Sequence, residues 1–224
     1  MTLSRFILRS GVQGIQRHHL LSSVSSLQPR RCFHAPPLAL DAIVKLDLLQ
    51  KETPERIQEI WTGYHSEKEH TVAEVWPAQE FEAFKVAVNV AGGLALFPVA
   101  REGGYFVLIS QVGDDSKTCF FTYLEDYKQN PATAVPYLSV TIYTELLGEP
   151  SIDKDTACKD SEMSNGIALV RADLSPGLID RTESRRLLSL LKLSYREKLL
   201  DIKCFNSGDS RFDFERHIND LLRH

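Results

Sequence analysis

The sequence predicts an α+β fold, a mainly antiparallel twisted sheet of about six strands packed with helices from both ends of the chain. Three observations predict it. Short runs rich in β-branched and aromatic residues, bounded by Gly, Pro and Asp, crowd between Gly92 and Leu146. Apolar residues at helical spacing lie before and after that stretch. The order of helices, then strands, then helices lacks regular βαβ alternation, and no internal repeat is visible.

The elements follow in order. After Pro36-Pro37, the residues Leu40, Ile43, Val44 and Leu48 make one apolar helical face, with Leu46 and Leu49 beside it. Thr53 is placed to cap a second helix, with Pro54 at its first position and Ile57, Ile60, Trp61 and Tyr64 on its apolar face. Thr71 to Trp76 reads as a strand. Pro77-Ala78-Gln79-Glu80 opens a third helix that turns Phe81, Phe84 and Val88 inward and ends at Gly92-Gly93. Four strands are then expected, Leu94 to Val99, Tyr105 to Val112, Thr118 to Leu124 and Tyr137 to Leu146. The second and third are apolar on both faces, which predicts central strands covered on both sides. Gly113 to Lys117 joins them as a five-residue hairpin loop, with Gly and Asp expected to take the left-handed backbone.

Gly148 to Asn165 is polar and aperiodic, a surface loop. Gly166 to Ala172 is a further strand and Ser175-Pro176-Gly177 a turn. Thr182 is expected to cap a helix with Leu187, Leu188, Leu191 and Tyr195 on one face. Leu200 to Phe205 reads as an edge strand, and Phe212 to Leu222 as a closing helix with Phe214, Ile218, Leu221 and Leu222 inward.

Composition divides the chain in two. With 224 residues and 43% hydrophobic content there is material for one core, and no apolar run reaches the roughly 18 residues that span a bilayer, so membrane insertion is not expected. The first forty residues hold Arg5, Arg9, Arg17, Arg30 and Arg31, six serines and no acid, the composition of an organelle transit peptide. Leu3, Phe6, Ile7 and Gly14 or Ile15 fit one side of an import helix, and Arg31-Cys32-Phe33-His34 a processing site cut after Phe33. The expectation is a mitochondrial transit peptide and linker over 1–36 and a single domain over 37–224. Its removal leaves 21 basic against 30 acidic residues, a formal charge of −9, which speaks against nucleic acid as a partner.

Motifs for chemistry do not appear. Neither Gly pair is followed by Gly-Lys-Ser or Gly-Lys-Thr, so ATP hydrolysis is not expected. The four cysteines form no C-x-x-C pair and the seven histidines no H-E-x-x-H, so neither a metal nor a disulfide lattice is expected, and no cofactor. His65 and His70 flank a loop and read as solvent-exposed. Ser110 lacks the G-x-S-x-G context of a nucleophile. Glu125-Asp126 reads as a solvated helix start.

A series of short matches carries a resemblance. Leu40 to Lys45, Ile57 to Trp61 with Tyr64, Phe97-Pro98, Arg101 to Phe106 and Gln111 are followed by Phe121 to Tyr127, Pro136 to Leu138, Tyr143 to Leu146, Gly166 to Val170 and Phe205-Asn206. Over about residues 40 to 222 the sequence resembles the family of mitochondrial assembly chaperones that bind the β subunit of the ATP synthase catalytic head. The loop from Gly148 to Asn165 departs from that pattern. The resemblance implies a matrix protein, not an enzyme, that holds the unassembled β subunit and protects its α-facing surface until α replaces it. Such a protein must present an apolar, aromatic surface rimmed by charge. The candidates are Leu40, Ile43 and Val44, the pair Trp61 and Tyr64, and the loop at Arg101, with core packing the competing reading for each. The alternative function is a matrix enzyme or small-molecule-binding domain with a cleft at the sheet edge, built on Glu125, Asp126 or Arg101. A permanent subunit of a larger complex is a third.

Overall fold

The computed structural model describes residues 37–148 and 166–224. The expected transit segment over 1–36 and nearly all of the loop expected from Gly148 to Asn165 lie outside the described residues. Six strands form one curled sheet: β1 (Thr71–Pro77), β2 (Leu94–Arg101), β3 (Gly104–Val112), β4 (Thr118–Tyr123), β5 (Pro136–Tyr143) and β6 (Ile167–Leu174). Their spatial order is β1-β6-β5-β4-β3-β2, and every neighbouring pair is antiparallel. This is the expected α+β arrangement.

Helices cover the sheet unevenly. One face is packed by α3 (Ala78–Ala91), α5 (Arg181–Glu197) and part of α6 (Leu199–Ser207), where Phe97, Phe121, Leu138 and Val170 meet Phe84, Leu188 and Ile202. The other face carries two separate pads. At the β2–β3 end, α4 (Leu124–Gln129), α6 and α7 (Phe214–Leu222) close on Leu96 and Ile109. At the β1–β6–β5 end, α1 (Leu46–Leu49) and α2 (Pro54–Ser66) close on Leu169 and Tyr143. β3 has core residues in both directions, Leu108 and Val112 toward the first face and Val107 and Ile109 toward the β2–β3 pad, whereas β4, expected to be covered on both sides, buries Cys119 and Phe121 on the first face and leaves Phe120 half-buried on the other, beyond the reach of either pad. Between the pads, Ser139 and Thr141 alternate with buried Val140 and Ile142, as a strand does where one face is open.

Several local expectations are corrected. The segment from Leu40 to Leu49 is a 3₁₀ turn (Leu40–Ala42) followed by the single helical turn α1, not one helix. Leu40 and Leu49 are both buried in one cluster, yet at 100° per residue they would project from opposite sides of a continuous helix, so the chain must bend between them. In the β3–β4 loop the left-handed residue is Ser116, at φ 57°, rather than Gly113 or an Asp. The cap of α5 is Asp180 rather than Thr182: its carboxylate accepts from the Glu183 N–H at 2.8 Å and the Glu183 carboxylate accepts from the Asp180 N–H at 2.9 Å, a reciprocal capping box.

Leu200 to Phe205, expected as an edge strand, is helical. Leu199, Ile202 and Phe205 sit at helical spacing, and Gly208, at φ 65°, ends α6 in the left-handed form with the Asp209 N–H bonded to the Cys204 carbonyl. The helix delivers Asn206 to the border of the sheet. Its side-chain oxygen accepts from the Leu94 N–H at 3.2 Å and its amide donates to the Leu94 carbonyl at 2.7 Å, so one side chain stands in for a neighbouring strand. Gly92 is required opposite it, because the backbone there has φ 99° and a Cβ would fall 2.4 Å from Asn206 Cγ.

Candidate functional site

The pad built on α1 and α2 carries the surface with the clearest means of holding another molecule. Thr53 caps α2, its hydroxyl accepting from the Arg56 N–H at 3.3 Å, with Pro54 at the first helical position. From that start Ile57, Trp61 and His65, each four residues apart, point into the protein. Trp61 is fully buried; its indole N–H donates to the Val170 carbonyl at 3.1 Å and its ring meets Tyr143 edge-on at 5.9 Å. Tyr143 donates in turn to the Leu38 carbonyl at 2.9 Å, which fixes the chain entering the 3₁₀ turn. Leu40 lies beneath that turn, 2% exposed.

On this floor stands an open groove of about 260 Å³ between α1 and α2. Val44, Leu48, Ile60 and Tyr64 form its apolar walls, and Lys45 and Glu52 its charged lips. Leu48 is 57% exposed and Tyr64 45%, large side chains that stay partly open to solvent. The Lys68 ammonium lies over the Tyr64 ring at 4.4 Å, a cation–π contact beside the groove. An apolar trough with charged lips, shallow and open, is shaped for a protein side chain or helix rather than for an enclosed small molecule.

The six residues singled out from sequence are placed differently from one another. Leu40 and Trp61 belong to the core and reach the groove only as its support. Ile43 and Val44 are half-buried against the same cluster, and Val44 lines the groove. Tyr64 is at its lip. Arg101 is on the opposite face of the sheet, where its guanidinium makes a paired contact with Glu183 (2.7 and 2.9 Å), donates to the Leu178 carbonyl at 2.7 Å and lies 4.8 Å over the Phe106 ring. The Glu183 carboxylate, its chief partner, raises its pKa further. Arg101 therefore ties the β2–β3 hairpin to the start of α5. Glu125 and Asp126 are exposed in the first turn of α4, with Glu125 paired to Lys128 at 2.8 Å, as a solvated helix start.

Leu48, which the sequence marks only as part of a helical face, is the most exposed of the groove's apolar walls. His65 is corrected outright: it is 1% exposed, with its ring 4.2 Å from Trp61 and 4.9 Å from Tyr64. Its Nδ1–H donates to the Trp61 carbonyl at 2.8 Å, while Nε2 is buried without a hydrogen-bond partner. Burial lowers its pKa, partly offset by that carbonyl. The spacing Ile57, Trp61, His65 was the available signal, masked by the polarity of the third residue. Among the described residues no group of three His, Cys, Asp or Glu is placed to hold a metal ion.

Comparison with known proteins adds one match. The family model described as ATP11 protein matches residues 18–218, which takes in both the groove and the whole sheet. No curated protein matches the chain.

Proposed function

The chain belongs to the ATP11 family, that of the mitochondrial ATP synthase assembly factor, and we propose that it acts by holding the unassembled β subunit of the catalytic head in the matrix. Membership gives it a role in ATP synthase assembly, as an assembly factor rather than an enzyme, and a mitochondrial setting. The finer reading is that the α1/α2 groove covers part of the α-facing surface of β, keeps it from aggregating, and yields it when α arrives. The observation that carries this reading is the groove itself, with Leu48 and Tyr64 held exposed on a rigid floor of Trp61 and Tyr143.

The groove also fits the need for release. An area this small supplies a few anchors, and interfaces of that size exchange readily against a larger one. Leu48→Asp combined with Tyr64→Asp is expected to weaken β-subunit binding by about 2 kcal/mol or more, the usual cost of removing an anchor, with circular dichroism unchanged because both side chains are exposed. Suppression of β aggregation, followed by light scattering, reads the effect. A folded double variant that suppresses as well as the parent would remove the groove from the site. Ile43→Asp with Val44→Asp is the less clean probe, since both side chains help to seal the cluster around Leu40 and are expected to cost stability as well. We further propose that the protein neither binds nor hydrolyses ATP; a calorimetric titration giving heat at micromolar nucleotide would contradict that.

A further inference from the structure

We propose that the aromatic corner formed by Phe106, Tyr123 and Tyr137, together with the Asp126 carboxylate, seats an arginine side chain presented by another protein. The corner lies on the face of the sheet covered by α3 and α5, away from the α1/α2 groove. Tyr137 owes its place there to a β-bulge. Phe121 pairs with Leu138 but Thr122 with Pro136, so Tyr137 has no partner across the ladder. In a regular strand it would point away from Leu138, to the other face. The bulge turns it back, and its ring stacks on Tyr123 with centroids 6.1 Å apart and planes 25° from parallel. Ser175 pins the irregular backbone, its N–H donating to the Tyr137 carbonyl at 3.0 Å and its hydroxyl to the Pro136 carbonyl at 2.6 Å. Phe106 completes the corner, 6.2 Å from Tyr123 and 5.9 Å from Tyr137. All three rings are half-buried, and each keeps part of its surface in solvent.

The chain itself displays what this corner accepts. On one side the Arg101 guanidinium lies 4.8 Å over the Phe106 ring while the Glu183 carboxylate holds it at 2.7 and 2.9 Å. An aromatic face and a carboxylate are together the two halves of an arginine site. The other side repeats both halves without the cation. Asp126 stands in the first turn of α4, which begins directly after Tyr123, and its exposed carboxylate makes no ion pair among the described residues. Lys128 on the same helix is taken by Glu125 at 2.8 Å. Burial raises the pKa of both phenols, and the negative charge of Asp126 adds to the rise at each, so its field extends over both rings.

Charge and shape select the occupant. With Arg101 matched by Glu183 and Lys128 by Glu125, Asp126 leaves one negative charge at the edge of a stacked tyrosine pair. A planar guanidinium lies flat on such a ring while its edge donates to a carboxylate, which the ammonium of lysine does less well. One arginine on an exposed segment of a partner protein fills the seat.

The test uses the full chain with isotope-labelled tyrosine rings and the peptide acetyl-Gly-Arg-Gly-amide as probe. The same peptide with citrulline in place of arginine keeps the shape and loses the charge. Nuclear magnetic resonance follows the Tyr123 and Tyr137 ring signals, assigned through Tyr123→Phe and Tyr137→Phe. The expected result is a saturable shift of both signals at millimolar arginine peptide, little response to the citrulline peptide, and about fivefold weaker binding in Asp126→Asn, the scale of one exposed ion pair. Signals that stay in place, an equal response to the two peptides, or undiminished binding by folded Asp126→Asn would each overturn the proposal. The comparison of peptides is made on the parent chain, so it decides the matter even where the variant fails to fold. Neither the groove nor a client takes part in this assay, so its failure leaves the β-subunit reading standing, and the reverse also holds.

Discussion

His65 and His217 share one predicament, and it makes stability depend on pH. Each imidazole donates one N–H to a backbone carbonyl, His65 to Trp61 and His217 Nε2 to Leu96 at 3.1 Å, and keeps its other nitrogen buried without a hydrogen bond. Burial is the main cause that lowers both pKa values from 6.5. Around His65 the cations Arg171 and Lys68 add to the lowering and Asp173 opposes it; around His217 the Leu96 carbonyl and Asp201 oppose it. The unfolded chain then takes up protons before the folded one does. Stability is full above the ordinary histidine value and declines as pH falls below about 6.5 toward the lowered folded values. Thermal unfolding should show a midpoint several degrees lower at pH 5.5 than at pH 7.5, with a smaller difference in His65→Asn. A midpoint that does not move over this range would contradict the burial argument. Neither histidine was legible as buried in the sequence, because a polar residue interrupts the apolar pattern by which inward positions are recognised.

At the level of elements, α2 holds the groove only while Trp61 fills the space beneath it. Trp61→Ala is expected to cost about 3–5 kcal/mol for a large buried aromatic, measured by denaturant unfolding, and to collapse the groove even where the variant still folds. The capping box offers a milder probe. Asp180→Ala should cost about 1 kcal/mol as an N-cap loss and loosen Arg101, since Glu183 serves both the cap and the guanidinium. The strands were legible in the sequence because their β-branched runs and punctuation are local. The helix α6 was not, although Leu199, Ile202 and Phe205 already had helical spacing. Its place is decided by Asn206 meeting Leu94 across 112 positions of sequence, beyond any local window. The bend between Leu40 and Leu49 was hidden for the same reason: only the common cluster around Trp61 forces both residues inward.

The whole chain pairs a basic first 36 residues with an acidic remainder, a contrast readable from composition alone. Residues 1–36 fused to a fluorescent protein are expected to carry it to mitochondria, and the mature protein to begin near His34; cytosolic fluorescence, or an endogenous protein that keeps Met1, would contradict this. Composition gave no means of choosing which apolar residues would remain outside, since Leu48 and Leu49 are alike in kind and opposite in exposure. The border of the sheet at β2 bears on how the protein avoids pairing with other chains. An unpaired border strand offers its backbone groups to any extended segment of another chain. At β2 the first rung is already filled by the Asn206 amide, the Leu96 carbonyl accepts from His217 Nε2–H, and Pro98 lacks an N–H to contribute, which leaves only the exposed end at Ala100 and Arg101 open to a ladder. Another chain laid along this border therefore meets side chains over most of its length, and a contact without a shared backbone ladder is one that separates readily.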